Sequence, residues 1–444
     1  CGKTQHVNIG NHDAENQITF DQWLSYRSGT EYTLVVGGKG STSQTDGDSQ
    51  TVTDGKYVLN GGNYYLKTDV KIAHPIQIEG NVTICLNGHE IQKVDDRTGF
   101  VGPVFEVTSG TLTLTDCTDK GRIKCDSNSG VYVNGGTLNL YEGRIAENKG
   151  QKQGENKDRY GGGVYVEKNG TFNMYGGTIT DNTATKGGGG VYVSGGTFTM
   201  NGNASVTSNR ATDRDNGTGG VYVVDGTFTM NDNASITGNT ATSTDGGVGV
   251  YTTSTTATFT MNGGTISGNT ATNGGGVGVY GTGSAFATNG SAFIMNGGAI
   301  SGNTATNNGG GVYVSKSGTF EMHNSASVTG NTASDNTADQ GNGDGVYVYS
   351  GTFEMNDTAS VSGNTATNSK SENTTYGGGV YVSSNGTFNM NGEATSVSNN
   401  KATNGGGVYV SKSGTFNMNG NASIKSNTGN GVCVGERATF TVSS

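Results

Sequence analysis

The chain has 444 residues, a formal net charge of −10, 79 glycines, 2 prolines and 14% charged residues. That balance argues against a nucleic-acid partner, whose phosphates need a clustered basic face, and no apolar run reaches the roughly 18 residues of a membrane-spanning helix. Low hydrophobicity suggests disorder only alongside high net charge or abundant proline, and this chain instead carries a strict repeat.

Residues 1–55 do not repeat. Within them Ile18–Tyr26, with Trp23 as the sole tryptophan, reads as a short helix or cap. Residues 56–444 form the second unit. Its first rungs are irregular: Tyr57-Val58-Leu59, Tyr64-Tyr65-Leu66, Val70-Lys71-Ile72, Ile76-Gln77-Ile78 and Val82-Thr83-Ile84. Pro103-Val104-Phe105-Glu106-Val107 is a degenerate first copy of the main repeat. The segment GVYV then starts at Gly130, Gly163, Gly190, Gly220, Gly311, Gly345, Gly379 and Gly407, with GVGV at Gly247 and Gly276 and GVCV at Gly431.

Each copy leads to a second block, such as Gly196-Thr197-Phe198-Thr199-Met200, and a third, such as Ala204-Ser205-Val206-Thr207-Ser208-Asn209. Side chains alternate between faces along a strand. Val191 and Val193 therefore share one face, as do Phe198 with Met200 and Ala204 with Val206. Three short strands per repeat, each apolar on one face, enclose a core only if the chain coils. This predicts an all-β fold, a right-handed parallel β-helix (solenoid) of about 12–14 rungs. At ~4.8 Å per rung the regular part is a rod roughly 60–65 Å long.

Ten asparagines end the third strand: Asn148, Asn182, Asn209, Asn239, Asn269, Asn303, Asn331, Asn364, Asn400 and Asn427. Asparagine tolerates left-handed backbone and bonds neighbouring peptide groups, so an inward structural ladder is expected. The length variation lies between this asparagine and the next GVYV, in Lys149–Tyr160, Ala211–Thr218, Ala333–Asp344 and Thr365–Tyr376. These insertions should leave one edge of the rod, where per-repeat insertions often mark a binding face.

Tyr132, Tyr165, Tyr192, Tyr222, Tyr313, Tyr347, Tyr381 and Tyr409 form a predicted outward ladder, interrupted by Gly249 and Gly278. Rings in a row suit stacking on sugars or on a protein; cross-rung packing that stabilises the sheet is the plainer reading. Outward T-x-T pairs, such as Thr197/Thr199 and Thr227/Thr229, raise ice binding as a rival, but Glu321 and Glu354 interrupt the row and threonine's strand preference explains it more simply.

Glu321 and Glu354 should be next-rung neighbours, a possible catalytic or cation-binding pair set against two solvated carboxylates. The histidines show no metal-ligand spacing, and no cofactor or metal is expected. Asp213–Gly217 and Asp335–Asp344 are oxygen-rich but match no calcium-loop spacing. Five cysteines at low density make no disulfide framework. Cys117 and Cys125 end successive strands and could pair, although buried thiols are the simpler expectation.

The stretch Tyr64–Leu66, Asp69-Val70 and Ile84-Cys85-Leu86-Asn87-Gly88-His89-Glu90-Ile91, followed by Leu112–Cys117, resembles the opening of β-helix regions in large surface proteins of gut Gram-positive bacteria. That resemblance implies export, display on the cell wall, and further repeat and anchoring domains. The repeats also resemble chlamydial polymorphic membrane protein passenger domains, which carry FxxN and GGxI motifs and act as adhesins. FxxN starts at Phe198, Phe228, Phe259, Phe293, Phe353, Phe388 and Phe416; Tyr175 and His323 replace the asparagine elsewhere, and that family's C-terminal barrel has no counterpart here.

Together these readings predict a non-enzymatic, extracellular bacterial surface adhesin or rigid stalk, binding a host or microbial glycan or protein. A β-helix polysaccharide lyase or hydrolase is the alternative. A structural spacer whose function sits in another domain is the third reading. Cys1-Gly2 is compatible with a lipidated N-terminus or with a simple boundary.

Overall fold

The computed structural model describes residues 57–443 except 95–101, 153–158, 213–216, 243–248, 255, 282–290, 336–342, 369–373 and 393. It also describes one antiparallel pair ahead of these, Ser28–Gly29 with Thr33–Leu34. The Ile18–Tyr26 cap lies outside the described residues. Among the described residues the secondary structure is all strand, without helix.

The chain coils into a parallel β-solenoid. First and second strands of successive rungs join one 26-stranded sheet, and third strands build a parallel sheet of thirteen. Register is kept residue for residue: Val131 pairs with Val164, then Val191, Val221, Val250, Val277, Val312, Val346, Val380, Val408 and Val432. A one-residue slip would turn every valine outward, so the buried face fixes this register. One hydrophobic core runs from Tyr57 to Ala422. Within it Phe172 begins a stack that runs through Phe416 and ends on the exposed Phe440, with ring centroids 4.5–4.9 Å apart and planes within 12°.

The asparagine ladder forms at all ten positions. The backbone N–H and Nδ2 of Asn269 both donate to Asn303 Oδ1, at 3.1 and 2.9 Å, and Nδ2 also donates to the Ile236 carbonyl at 3.1 Å. Each internal member therefore ties its own rung to the one before and the one after. The ladder starts on Cys125, whose N–H donates to Asn148 Oδ1 at 2.6 Å. The left-handed residue is not the asparagine but its predecessor, as at Asp181 (φ 57°), Ser208 (55°) and Gly268 (64°). That bend swings the amide inward.

The ladder also explains the first glycine of GVYV. A Cβ on Gly311 would sit 2.6 Å from the Gly345 carbonyl oxygen and 3.0 Å from Asn331 Nδ2. Glycine is needed there for close approach, independent of φ.

Four expectations change. A fourth short strand follows the asparagine in seven rungs, from Thr183–Ala184 to Thr365–Asn368, and stacks as its own parallel sheet. The segments read as insertions after Asn209, Asn331 and Asn364 thus begin in ordered structure, with Ala211, Ala333 and Ala366 buried. Second, the repeat read as GVGV at Gly247 is shifted by two residues: Val250-Tyr251 pairs with Val221-Tyr222. Alternation alone permits either frame, because Val248 and Val250 are two residues apart in the sequence, but only this one sets Gly249 against Asn269. Third, Gly249 therefore does not interrupt the tyrosine column. Fourth, Cys117 is disulfide-bonded rather than a buried thiol, but not to Cys125, whose buried thiol donates to the Gly102 carbonyl at 3.5 Å.

Replacing Asn269 by alanine should strip partners from two donors of Asn239 and from the Ile236 carbonyl. Each bare buried group costs about 1–3 kcal/mol. Native-state hydrogen exchange should show those rungs opening at least about 3 kcal/mol more easily. Asn262→Ala, on the exposed outer corner, should change exchange by no more than about 0.5 kcal/mol.

Candidate functional site

The first strand turns one side chain away from the core between its two inward valines, and the sequence puts tyrosine there. Tyr132, Tyr165, Tyr192, Tyr222, Tyr313, Tyr347, Tyr381 and Tyr409 do align in register, and Tyr251 joins them. Gly278 occupies the column between Tyr251 and Tyr313. The gap is filled by Tyr280, whose ring lies 4.8 Å from Tyr251 and 5.3 Å from Tyr313. The result is an unbroken column of rings from Tyr132 to Tyr409.

These rings point away from the core but are largely covered. Tyr165, Tyr222, Tyr251, Tyr280, Tyr347 and Tyr381 are buried, with Tyr347 only 4% exposed. Left-handed glycines of the return turn lie against them: a Cβ on Gly343 would meet Tyr347 and Tyr381 at 2.9 Å, and one on Gly187 would meet Tyr192 at 2.6 Å. Tyr160 and Tyr376 add rings beside Tyr192 and Tyr409. The hydroxyls find close partners, Ser194 for Tyr192 and Ser383 for Tyr347. Burial, reinforced by neighbouring tyrosines, pushes the hydroxyls of Tyr192, Tyr222 and Tyr347 far above the usual range. The column is a second aromatic seam outside the main core, and its buried rings offer a ligand little free surface.

The second-strand face carries the paired glutamates. Glu321 and Glu354 are next-rung partners. His323 Nε2 lies 3.3 Å from Glu321 Oε2 and its Nδ1 3.9 Å from Asp357 Oδ2. Asn389 Nδ2 donates to Glu354 Oε1 at 3.0 Å. The T-x-T row is mixed in register, since Thr260 pairs with Ile294 and Ile294 with Glu321. Among the described residues no three His, Cys, Asp or Glu side chains cluster at metal-binding distance. Asp213–Asn216 and most of Asp335–Asp344 lie outside the described residues.

Three features escaped the sequence reading. Asp116 is fully buried and accepts from the N–H groups of Gly88 (2.6 Å) and Gly121 (2.8 Å), clamping the irregular first rungs. The signal was an aspartate beside a strand-ending cysteine with glycines on both flanks. On the third-strand face, Arg122 bonds Glu90 and Glu147, and Lys124 reaches Glu147 at 2.8 Å. Third, Asp344 replaces the middle glycine of the return turn. Gly311 donates to its carbonyl just as Gly345 donates to that of Gly378. Its Oδ1 accepts from the Ala333 N–H at 2.5 Å, while Oδ2 is buried without a partner. Burial holds this carboxyl well above the usual carboxylate range.

These shifts make stability depend on pH in two ways. A carboxyl raised by folding leaves stability intact below its ordinary value of 3.8 and erodes it as pH climbs toward the folded value. Asp344→Gly should therefore be more stable than wild type at neutral pH and lose that advantage in acid, measured by urea unfolding at each pH. For the tyrosines, stability should hold below their ordinary 10.0 and fall above it. Tyrosinate absorbance should then rise together with the loss of strand circular dichroism.

In comparisons with known proteins, no family, no curated protein and no solved structure matches this chain.

Proposed function

We propose that the chain is a non-enzymatic extracellular rod, an adhesin or rigid stalk of a bacterial surface protein. The observation that carries this reading is the unbroken register of the first strands from Val131 to Val432. A solenoid repeating one rung presents equivalent surface positions once per rung, which suits multivalent contact, where avidity offsets weak single sites. The resemblance to exported β-helix regions of gut Gram-positive bacteria supports placement on a cell surface. A host or microbial glycan or protein is the partner such a surface suits.

The alternative, a polysaccharide lyase or hydrolase, draws support from one place. Glu321 and Glu354 sit side by side with His323 against Glu321, the kind of acid/base grouping such chemistry uses.

The purified chain should bind components of a broad glycan array or mucin, and should release neither unsaturated nor reducing sugar ends from uronic-acid polymers. Turnover abolished by Glu321→Gln would establish the enzyme reading instead. Absence of both binding and turnover in the folded chain would leave the spacer role.

A further inference from the structure

The outer corner after the second strand carries one column along the solenoid. It holds Asn201, Asn231, Asn262 and Asn296 in successive rungs, each N–H donating to the Met carbonyl of the rung before. Their side chains form an amide chain: Asn231 Nδ2 donates to Asn201 Oδ1 at 2.9 Å, Asn262 to Asn231 at 2.8 Å and Asn296 to Asn262 at 2.9 Å. Each of these Nδ2 atoms uses one hydrogen in that chain and keeps the other for solvent.

Two rungs before Asn231 the column changes chemistry. Tyr141 and Tyr175 take the same backbone position, donating to the carbonyls of Leu114 and Leu140. Their rings stack at 4.7 Å and 21°. Tyr175 is 37% exposed, against 4% for Tyr347 in the covered seam. The glycines Gly176 and Gly177 follow it, and a Cβ on Gly176 would meet the Tyr141 carbonyl oxygen at 2.3 Å, so no side chain can rise there to shield the pair. On the outward face of the strand two residues earlier, Asn173 Nδ2 donates to Asn139 Oδ1 at 3.0 Å, placing a pair of amides in the column next to the rings.

The arrangement is an open aromatic pair continuous with a line of amides. From Tyr141 to Asn296 it extends over five rung steps, roughly 24 Å. Pyranose rings have apolar C–H faces and hydroxyl edges. Aromatic rings accept the former, and amides donate to and accept from the latter. The chain's net charge of −10 disfavours acidic polymers.

We propose that Tyr141 and Tyr175, with Asn173 and the Asn201–Asn296 corner ladder, form a binding site for a neutral oligosaccharide lying along the rod axis. This rests on the glycan-binding form of the adhesin reading and moves the site from the covered tyrosine seam to the open corner.

The test uses Tyr141→Asn/Tyr175→Asn, which restores the residue the repeat holds at that corner and should keep the thermal melt unchanged. Neutral gluco-, xylo-, manno- and galacto-hexasaccharides are titrated against the immobilised full chain, with a hyaluronan hexasaccharide as the acidic comparator. The expected result is binding of at least one neutral probe, weakened roughly tenfold or more in the double variant. Equal binding by wild type and variant, or binding of the acidic probe alone, overturns this site while leaving the adhesin reading in place. Failure of the wild type to bind any probe overturns the site and the glycan-binding reading together.

Discussion

Alternation bars a one-residue slip in a coil of short strands but leaves a two-residue slip open, and in this chain the buried asparagine column supplies the remaining choice. Each amide spans three rungs, and an unmet amide in the core would cost as much as several well-packed methyl groups. The column sets the corner geometry, demands the left-handed residue before it, and demands a glycine opposite it. The valine, phenylalanine and methionine ladders then fall into line, because their alternation is locked once one position per rung is fixed. Polar specificity and apolar burial act on the same repeat, which is why rungs of unequal length still stack residue on residue.

The general architecture was legible because alternation and repetition are direct consequences of strand geometry. The inward valines, the Phe/Met pairs and the ten asparagines all follow from a period of two and a recurring block. What was not legible depended on which frame or partner a side chain finds in space. Val248 and Val250 are equivalent by alternation, and only the packing of Gly249 against Asn269 separates them. Tyr280 fills the space left by Gly278 from two residues away, a substitution that no column-by-column reading contains. The covering of the tyrosines was hidden for a similar reason. Outward on a strand means away from the core, yet the return turn of the same rung folds across that face.

That distinction alters where a ligand surface is to be sought. Side chains repeated most faithfully are here the ones most involved in holding rungs together. The corner where the repeat departs from its own rule, at Tyr141 and Tyr175, is the place where rings remain open. The same logic applies to Asp344, which departs from the glycine column and is a fully buried acid whose carboxyl is pushed well above the usual range by burial. In repeat proteins the positions that break the pattern without breaking the register are the natural carriers of individuality.

The central claim is that each repeat is one rung and that rungs stack without interruption. Spin labels carried on non-natural amino acids at Thr207 and Ser362, outward positions five rungs apart on the third-strand sheet, measure this directly by pulsed electron resonance. A single narrow distance distribution centred on roughly 24 Å, widened only by the label linkers, is the expected result. A broad distribution, or one centred far beyond that distance, would contradict a continuous solenoid.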